Sequence, residues 1–315
     1  MTPQRPPTVS VIDPIGPAFE KVKTILFKPF DLGKWFVIGF CAWLAFLGSG
    51  GPGGSGGGRG GRPPDAHEAF GEAKEFVLEN LDWIIPVVIL AVIVGIIVWL
   101  VFTWLSSRGR FMFLHCVAEN KAEVKVPWAK FRQHGNSLFL FRIVLGLIGF
   151  AAVGLPILLA VGCIAMIIAG DGAIVIGILG CVIIGFSIIA LSIVLAVIGK
   201  LTKDFIVPIM FLRTTSCIAA WRELLTILSV NKARFVLYIL FQIVIAIVIF
   251  TIISMGFRIG LCLCCVSLLL LIPYIGTVIL LPVLVFKRAY SLLYLRQFGP
   301  EFDVFRPETE MAVAD

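Results

Sequence analysis

The sequence predicts an all-α polytopic membrane helix bundle, and three observations carry that prediction. Hydrophobic residues make up 59% of the 315 and charged residues 14%, with a mean hydropathy of +1.04, so there is too little polar surface to wrap a core in water. The apolar residues form six continuous runs without the period-two alternation of barrel strands, and a backbone in lipid satisfies its polar groups only as a helix or a closed barrel. Lys and Arg lie almost wholly on one side of those runs, which sets an orientation.

Residues 1–34 form a polar N-terminal segment containing an amphipathic helix. Pro17 suits its first turn, and Phe19, Val22, Ile25 and Leu26 share one face. The first apolar run, 35–48, is short for a hydrocarbon core of about 30 Å, which takes about 20 helical residues. The polar stretch before it is longer than the basic region of a signal peptide, so the run is read as a retained span. Residues 48–64, GSGGPGGSGGGRGGRPP, read as a flexible outer linker, because no strand precedes them and no Lys-Ser or Lys-Thr ends them as a phosphate-binding loop requires. Beyond the linker a helix carries Glu68, Glu72, Glu75 and Glu79 on one face, a stripe that suits solvation better than cation binding.

The second span is 83–105, followed by Pro127, Trp128 and Phe131, which form a second amphipathic approach to the membrane. The third span, 138–169, is longer than a bilayer needs; Pro156 is expected to kink it and Arg142 to snorkel toward head groups. Only Gly170, Asp171 and Gly172 separate it from the fourth span, 173–199, so the two should form a tight hairpin. On the fourth span Gly177, Cys181 and Gly185 recur every fourth residue, a pattern that allows close helix packing. Behind Ser216, the residues Cys217, Ile218, Trp221, Leu224, Leu225 and Leu228 make a helical stripe that leads to the fifth span, 235–257. The sixth is 261–286, and residues 287–315 form a tail. These six transmembrane helices of the 35–286 domain group as three hairpins, each preceded by a cytoplasmic amphipathic helix, an internal repeat of design more than of identity. Trp128 and Trp221 would lie at the acyl boundary with Lys and Arg among anionic head groups, although such helices also serve simply to cap and orient a bundle.

Twenty-one of the 26 Lys and Arg flank the runs on one side, against Arg59, Arg62, Lys74 and Arg258 on the other, with Arg142 at a boundary. The positive-inside rule places both termini in the cytoplasm. The basic residues form no single stripe and accompany no nucleic-acid motif, which argues against a nucleic-acid partner.

Chemistry-bearing patterns are sparse. No Asp or Glu falls within the six runs, which argues against a proton-coupled transporter, and Gln242 reads as an interhelical hydrogen bond. Cys262 and Cys265 supply only two of the ligands a structural zinc needs, and His67, His115 and His134 are scattered. Hydrolytic motifs are missing. The sequence therefore points to no catalytic residue, cofactor or metal. The best local signal is Asp204 with Pro208: a proline four residues on would break the helix and free the Asp204 carbonyl for Lys200, Lys203 or water. Such a place serves either as a hinge or as a site where Asp204 meets a cation or head group.

The run Asp204-Phe-Ile-Val-Pro208-Ile-Met-Phe211, the segment Leu26-Phe-Lys-Pro-Phe-Asp-Leu-Gly-Lys-Trp35 and the stretch from Arg108-Gly-Arg-Phe111 to Phe141 resemble poorly characterised bacterial membrane proteins, among them the membrane-embedded domain attached to some glycerophosphodiester phosphodiesterases. The resemblance implies a multi-pass protein of the bacterial inner membrane without assigned chemistry. The soluble catalytic domain of those phosphodiesterases has no counterpart here, so their activity does not carry over. The expectation is a non-enzymatic membrane scaffold or accessory module acting on the lipid bilayer, on anionic lipid head groups or on another membrane protein. The alternative is a transporter or channel for a small or apolar solute.

Overall fold

A computed structural model describes residues 9–47, 79–169, 174–261 and 273–305. Among these residues every regular element is a helix, and there are no strands. Helix α1 (Ile15–Phe27) buries Ala18, Val22, Ile25 and Leu26, a three-and-four spacing that lays one face on the core. Phe19, expected on that face, is exposed and rests against Phe286 with ring centroids 4.6 Å apart. Helix α2 (Leu32–Phe46) starts where the Asp31 carboxylate accepts from the Gly33 amide at 2.8 Å, satisfying one of the helix's free N–H groups. Trp35 Nε1 donates to the Leu26 carbonyl at 2.8 Å and ties the two helices together.

Helix α3 (Leu81–Glu119) is 39 residues long and divides sharply. From Trp83 to Phe102 nearly all its large apolar side chains are exposed, whereas from Thr103 to Val117 most of its side chains are buried. The short α4 (Lys125–Lys130) leads into α5 (Arg132–Ala169), which contains Pro156 without ending there. Helix α6 (Ile174–Leu201) packs along α5 and continues through one π-helical turn, Thr202–Ile206, into α7 (Val207–Arg213). Helix α8 (Cys217–Val230) is capped by the Ser216 hydroxyl, which accepts from the Ala219 amide. Helices α9 (Lys232–Leu261), α10 (Pro273–Ile279) and α11 (Leu281–Arg296) complete the described chain with a 3-10 turn at Pro300–Phe302.

The molecule thus has two zones. One is a helical cap in which α1, α2, the second half of α3, α7, α8, the start of α9 and α11 share a core of buried side chains. The other consists of long helices projecting from it. Four are long and apolar enough to cross a membrane, and their most hydrophobic windows are 0%, 0%, 0% and 11% buried within the molecule. At ~1.5–3 kcal/mol for each large apolar side chain left in water, that surface would outweigh a net stability of ~5–15 kcal/mol many times over. Its solvent is therefore apolar.

The expected set of six spans meets two departures. The first run lies in α2, whose 15 residues reach about 22 Å at about 1.5 Å per residue, short of about 30 Å. Of the last run, residues 262–272 lie outside the described residues, and the remainder is divided at Leu280 between α10 and α11, where Pro282 occupies the first turn of α11. Helix α11 then runs ten residues past Phe286 with nearly every side chain buried in the cap, so its apolar character comes from core packing and not from lipid. Helices α2 and α10 pair instead: Tyr274 Oη donates to the Phe36 carbonyl at 3.0 Å, and a Cβ on Gly39 would come within 2.6 Å of Val278 Cγ2. The 48–64 linker, most of the glutamate-striped helix and the Cys262–Cys265 segment lie outside the described residues.

Close packing of α6 on α5 does not use the whole expected stripe. Gly177 is buried and Cys181 half-buried, but a Cβ on Gly185 would meet nothing within 4 Å. The tight approach is at Gly180, where a Cβ would stand 2.7 Å from Cys163 Sγ. A four-residue period drifts around a helix of 3.6 residues per turn, so the face that begins at Gly177 has rotated off the contact by Gly185.

Candidate functional site

The π-turn in the middle of the α6–α7 helix borders a broad cavity lined by both charged and apolar side chains. In this turn the Val207 amide reaches back five residues to the Thr202 carbonyl. The next such donor would come from Pro208, which has no N–H. The Lys203 carbonyl thereby left open accepts from Arg288 Nη1 of α11 at 2.7 Å. The open carbonyl is thus that of Lys203, not the expected one of Asp204, and its partner comes from the far end of the chain. Single π-turns inside α-helices are frequent at functional sites because they swing side chains out of register.

Asp204 is pinned from two sides. Lys200 Nζ lies 2.8 Å from its Oδ2, and Tyr238 Oη of α9 donates to the same oxygen at 3.1 Å. Gln242 Nε2 donates in turn to Tyr238 Oη at 3.1 Å within α9, and Gln242 Oε1 accepts from Lys200 Nζ of α6 at 3.5 Å, the interhelical hydrogen bond expected of it. Behind this chain Phe205, Tyr238 and Tyr294 pack at tilted angles, with centroids 4.9 Å and 4.5 Å apart, and Tyr294 Oη donates to the Arg234 carbonyl at 2.9 Å. Rings packed this way fix the position of the Asp204 carboxylate.

In front of Asp204 opens a cavity of about 700 Å³. Arg110, Lys200, Lys203, Lys287 and Arg288 line it, with Asp204 as the one carboxylate. Lys203 Nζ lies 4.0 Å over the Phe46 ring, and Arg110 Nε is buried without a hydrogen-bond partner. Phe113, Ile239, Ile243, Ala246 and Leu284 supply an apolar wall. Five cations facing one carboxylate repel each other in a medium of low dielectric, and an anion placed among them removes that cost. Arginine forks and lysine ammoniums are the donors that phosphate and carboxylate oxygens take in charge-assisted hydrogen bonds.

The residues singled out from the sequence fall in different places. Asp204 is at the cavity, and Pro208 is buried one turn beyond, where it helps open the Lys203 carbonyl. Arg142 does not snorkel outward: its Nη1 donates to the Thr103 carbonyl at 3.2 Å and to Ser107 Oγ at 3.0 Å, drawing it against α3. Trp128 meets Trp104 edge-on at 5.9 Å, and Arg108 lies over both rings at 4.3 Å and 5.0 Å; this cation–π cluster braces α3 against α4. Trp221 packs on Phe141 at 5.9 Å, and beside it Ile218 and Leu225 are exposed. Arg110, Lys287, Arg288 and Tyr238 do not stand out in the sequence, although a Lys or Arg pair at the end of two separate apolar runs is a signal that could have brought the basic ones forward. Among the described residues no group of three or more His, Cys, Asp or Glu side chains is placed to hold a metal ion.

Neither the curated proteins nor the solved structures contain a match to this chain. A model of a family of unknown function, DUF7544, matches residues 9–275, a span that takes in the π-turn, Asp204, Tyr238 and all four long apolar helices. On that match the chain belongs to the DUF7544 family.

Proposed function

We propose that this protein is a multi-pass inner-membrane module without catalytic chemistry, with both termini in the cytoplasm, that holds an anionic lipid head group at the cytoplasmic leaflet. The observation that carries this reading is the cavity in which five cationic side chains face one carboxylate. Its two walls match the two halves of an amphiphile. Arg110, Lys203, Lys287 and Arg288 suit a phosphate, and Phe113, Ile239, Ile243, Ala246 and Leu284 suit the first carbons of acyl chains. The preference for lipid over a soluble anion rests on the setting, since the flanking helices α3, α6 and α9 are those that carry exposed apolar surface.

Native mass spectrometry of the full chain, taken from nanodiscs of phosphatidylcholine doped with phosphatidylglycerol, tests the reading. Retention of phosphatidylglycerol over phosphatidylcholine is expected, and Lys203→Gln combined with Lys287→Gln should reduce it at least tenfold, about 1.4 kcal/mol. Equal retention of the two lipids by the wild-type chain would sink the proposal.

A transporter or channel is the second reading, favoured by a smaller cavity of about 360 Å³ between α3, α5 and α6 that shares Arg110 and Gly199 with the larger one. Flux of a small anion in reconstituted vesicles, lost on Arg110→Gln, would select it.

A further inference from the structure

The smaller cavity gives the ligand a second feature. Arg110 and Gly199 belong to the walls of both spaces, and Arg142, Leu145, Gly146, Gly149, Leu195 and Thr202 complete the smaller one. Arg110 is therefore the partition between two compartments of one site, with its buried Nε unpartnered. Arg142 is held in the second compartment by the Thr103 carbonyl and Ser107 Oγ, both reached through Nη1. Orienting one nitrogen this way fixes the plane of the whole guanidinium fork, which carries five donors. The walls opposite are thin, since Gly146, Gly149 and Gly199 present no side chain, and a Cβ on Gly199 would meet nothing within 4 Å.

Charge extends the same argument. Across both compartments the cations are Arg110, Arg142, Lys200, Lys203, Lys287 and Arg288, and the sole carboxylate, Asp204, is already engaged by Lys200 and Tyr238. A head group with one phosphodiester carries one negative charge and fills one compartment, leaving Arg142 and Arg110 facing each other without an anion. We infer that the ligand is a membrane lipid whose head carries two phosphate groups, one seated among Lys203, Lys287 and Arg288 and the other between Arg110 and Arg142. This rests on the lipid-binding reading above and specifies the chemistry of its ligand. Basic pockets between membrane helices on the cytoplasmic side are suited to such head groups.

The test compares cardiolipin, with two phosphates, and phosphatidylglycerol, with one, each doped into phosphatidylcholine nanodiscs carrying the full-length protein and counted by native mass spectrometry. Cardiolipin should be retained about tenfold or more over phosphatidylglycerol. Arg142→Gln, which removes the second charge, and Leu145→Phe, which narrows the smaller cavity without removing a charge, should each bring that ratio close to one. A ratio near one in the wild-type chain, or a ratio unmoved by both variants, overturns the two-phosphate ligand while leaving lipid binding intact. Failure to retain either anionic lipid over phosphatidylcholine instead overturns the reading beneath it. Inorganic diphosphate added to the cardiolipin discs should displace little; full displacement at matched concentration would assign the site to a soluble diphosphate and overturn the lipid.

Discussion

Gly109 sets how closely α2 and α3 approach. A Cβ there would lie 2.6 Å from the Ala45 nitrogen and 2.6 Å from the Leu44 carbonyl carbon, both backbone atoms that cannot turn aside as a side chain could. The helices run antiparallel at this contact, with Ser106 Oγ donating to the Ala45 carbonyl at 2.9 Å and Cys116 Sγ 3.9 Å from Cys41 Sγ. Gly109→Ala is expected to cost on the order of 1–3 kcal/mol through overpacking, read as a lower melting temperature in detergent. Gly185→Ala, in open space, should stay within about 0.5 kcal/mol; if both variants melt alike, the close approach is not what joins α2 to α3. Cys217 offers a second test at this scale. It is 1% exposed, and burial pushes its thiol up to about 12, so almost no thiolate exists near neutral pH. Maleimide should leave Cys217 unmodified in the folded protein and label it once denaturant is added. Rapid labelling without denaturant would show that α8 does not sit on the core.

Among the elements, the α6–α7 helix depends on a bond that its own backbone cannot make. Arg288 stands in for the missing Pro208 amide at the Lys203 carbonyl. The two positions should therefore be coupled: Arg288→Ala alone loses the substitute donor, while Pro208→Ala returns a native one. Melting data for the two single variants and the double variant are expected to give a coupling of about 1 kcal/mol, with Pro208→Ala relieving part of the Arg288→Ala loss. Strict additivity would mean that Arg288 does not stand in for the Pro208 amide. The proline was legible in the sequence because it interrupts an apolar run, and Asp204 because a carboxylate follows that run so closely. The donor was not, because 80 residues separate Arg288 from Pro208 and no local pattern links them. A count of flanking charges treats Lys203, Lys287 and Arg288 alike as markers of sidedness; only the packing of α11 on the π-turn turns them toward one cavity. Arg142 likewise reads as a boundary charge until Thr103 and Ser107 of α3 are placed beside it.

At the scale of the whole molecule, the two described ends are fastened together. The Ser10 amide donates to Gln297 Oε1 at 2.7 Å, Gln297 Nε2 donates to the Ser10 carbonyl at 2.9 Å, and Tyr290 Oη donates to the Val11 carbonyl at 2.8 Å. Cysteines introduced at Ser10 and Phe305 should therefore react with an impermeant thiol reagent from the same side of sealed vesicles, and a reporter fused after Asp315 should be active only in the cytoplasm. Labelling from opposite sides would contradict the fold, whereas a periplasmic reporter would contradict only the orientation. The helical class and the long apolar elements were readable because hydropathy alone marks them. The place of α11 in the cap was not, since a helix buried in a protein core and a helix buried in lipid present the same apolar composition.

The π-turn also determines the directions in which its two flanking helices look. One residue more than an α-helix needs advances the chain by about 100° about its axis. Upstream of Thr202 the helix shows Lys200 to the cavity, while downstream of Ile206 it shows Ile209 and Met210 to the core, and the extra residue sets the angle between these two faces. Deleting a single residue between Thr202 and Ile206 should therefore preserve the span and its hydropathy while swinging one of these faces away from its partners. In relatives of this chain, the length of that five-residue turn would separate proteins that keep the cavity from proteins that keep only the membrane helices.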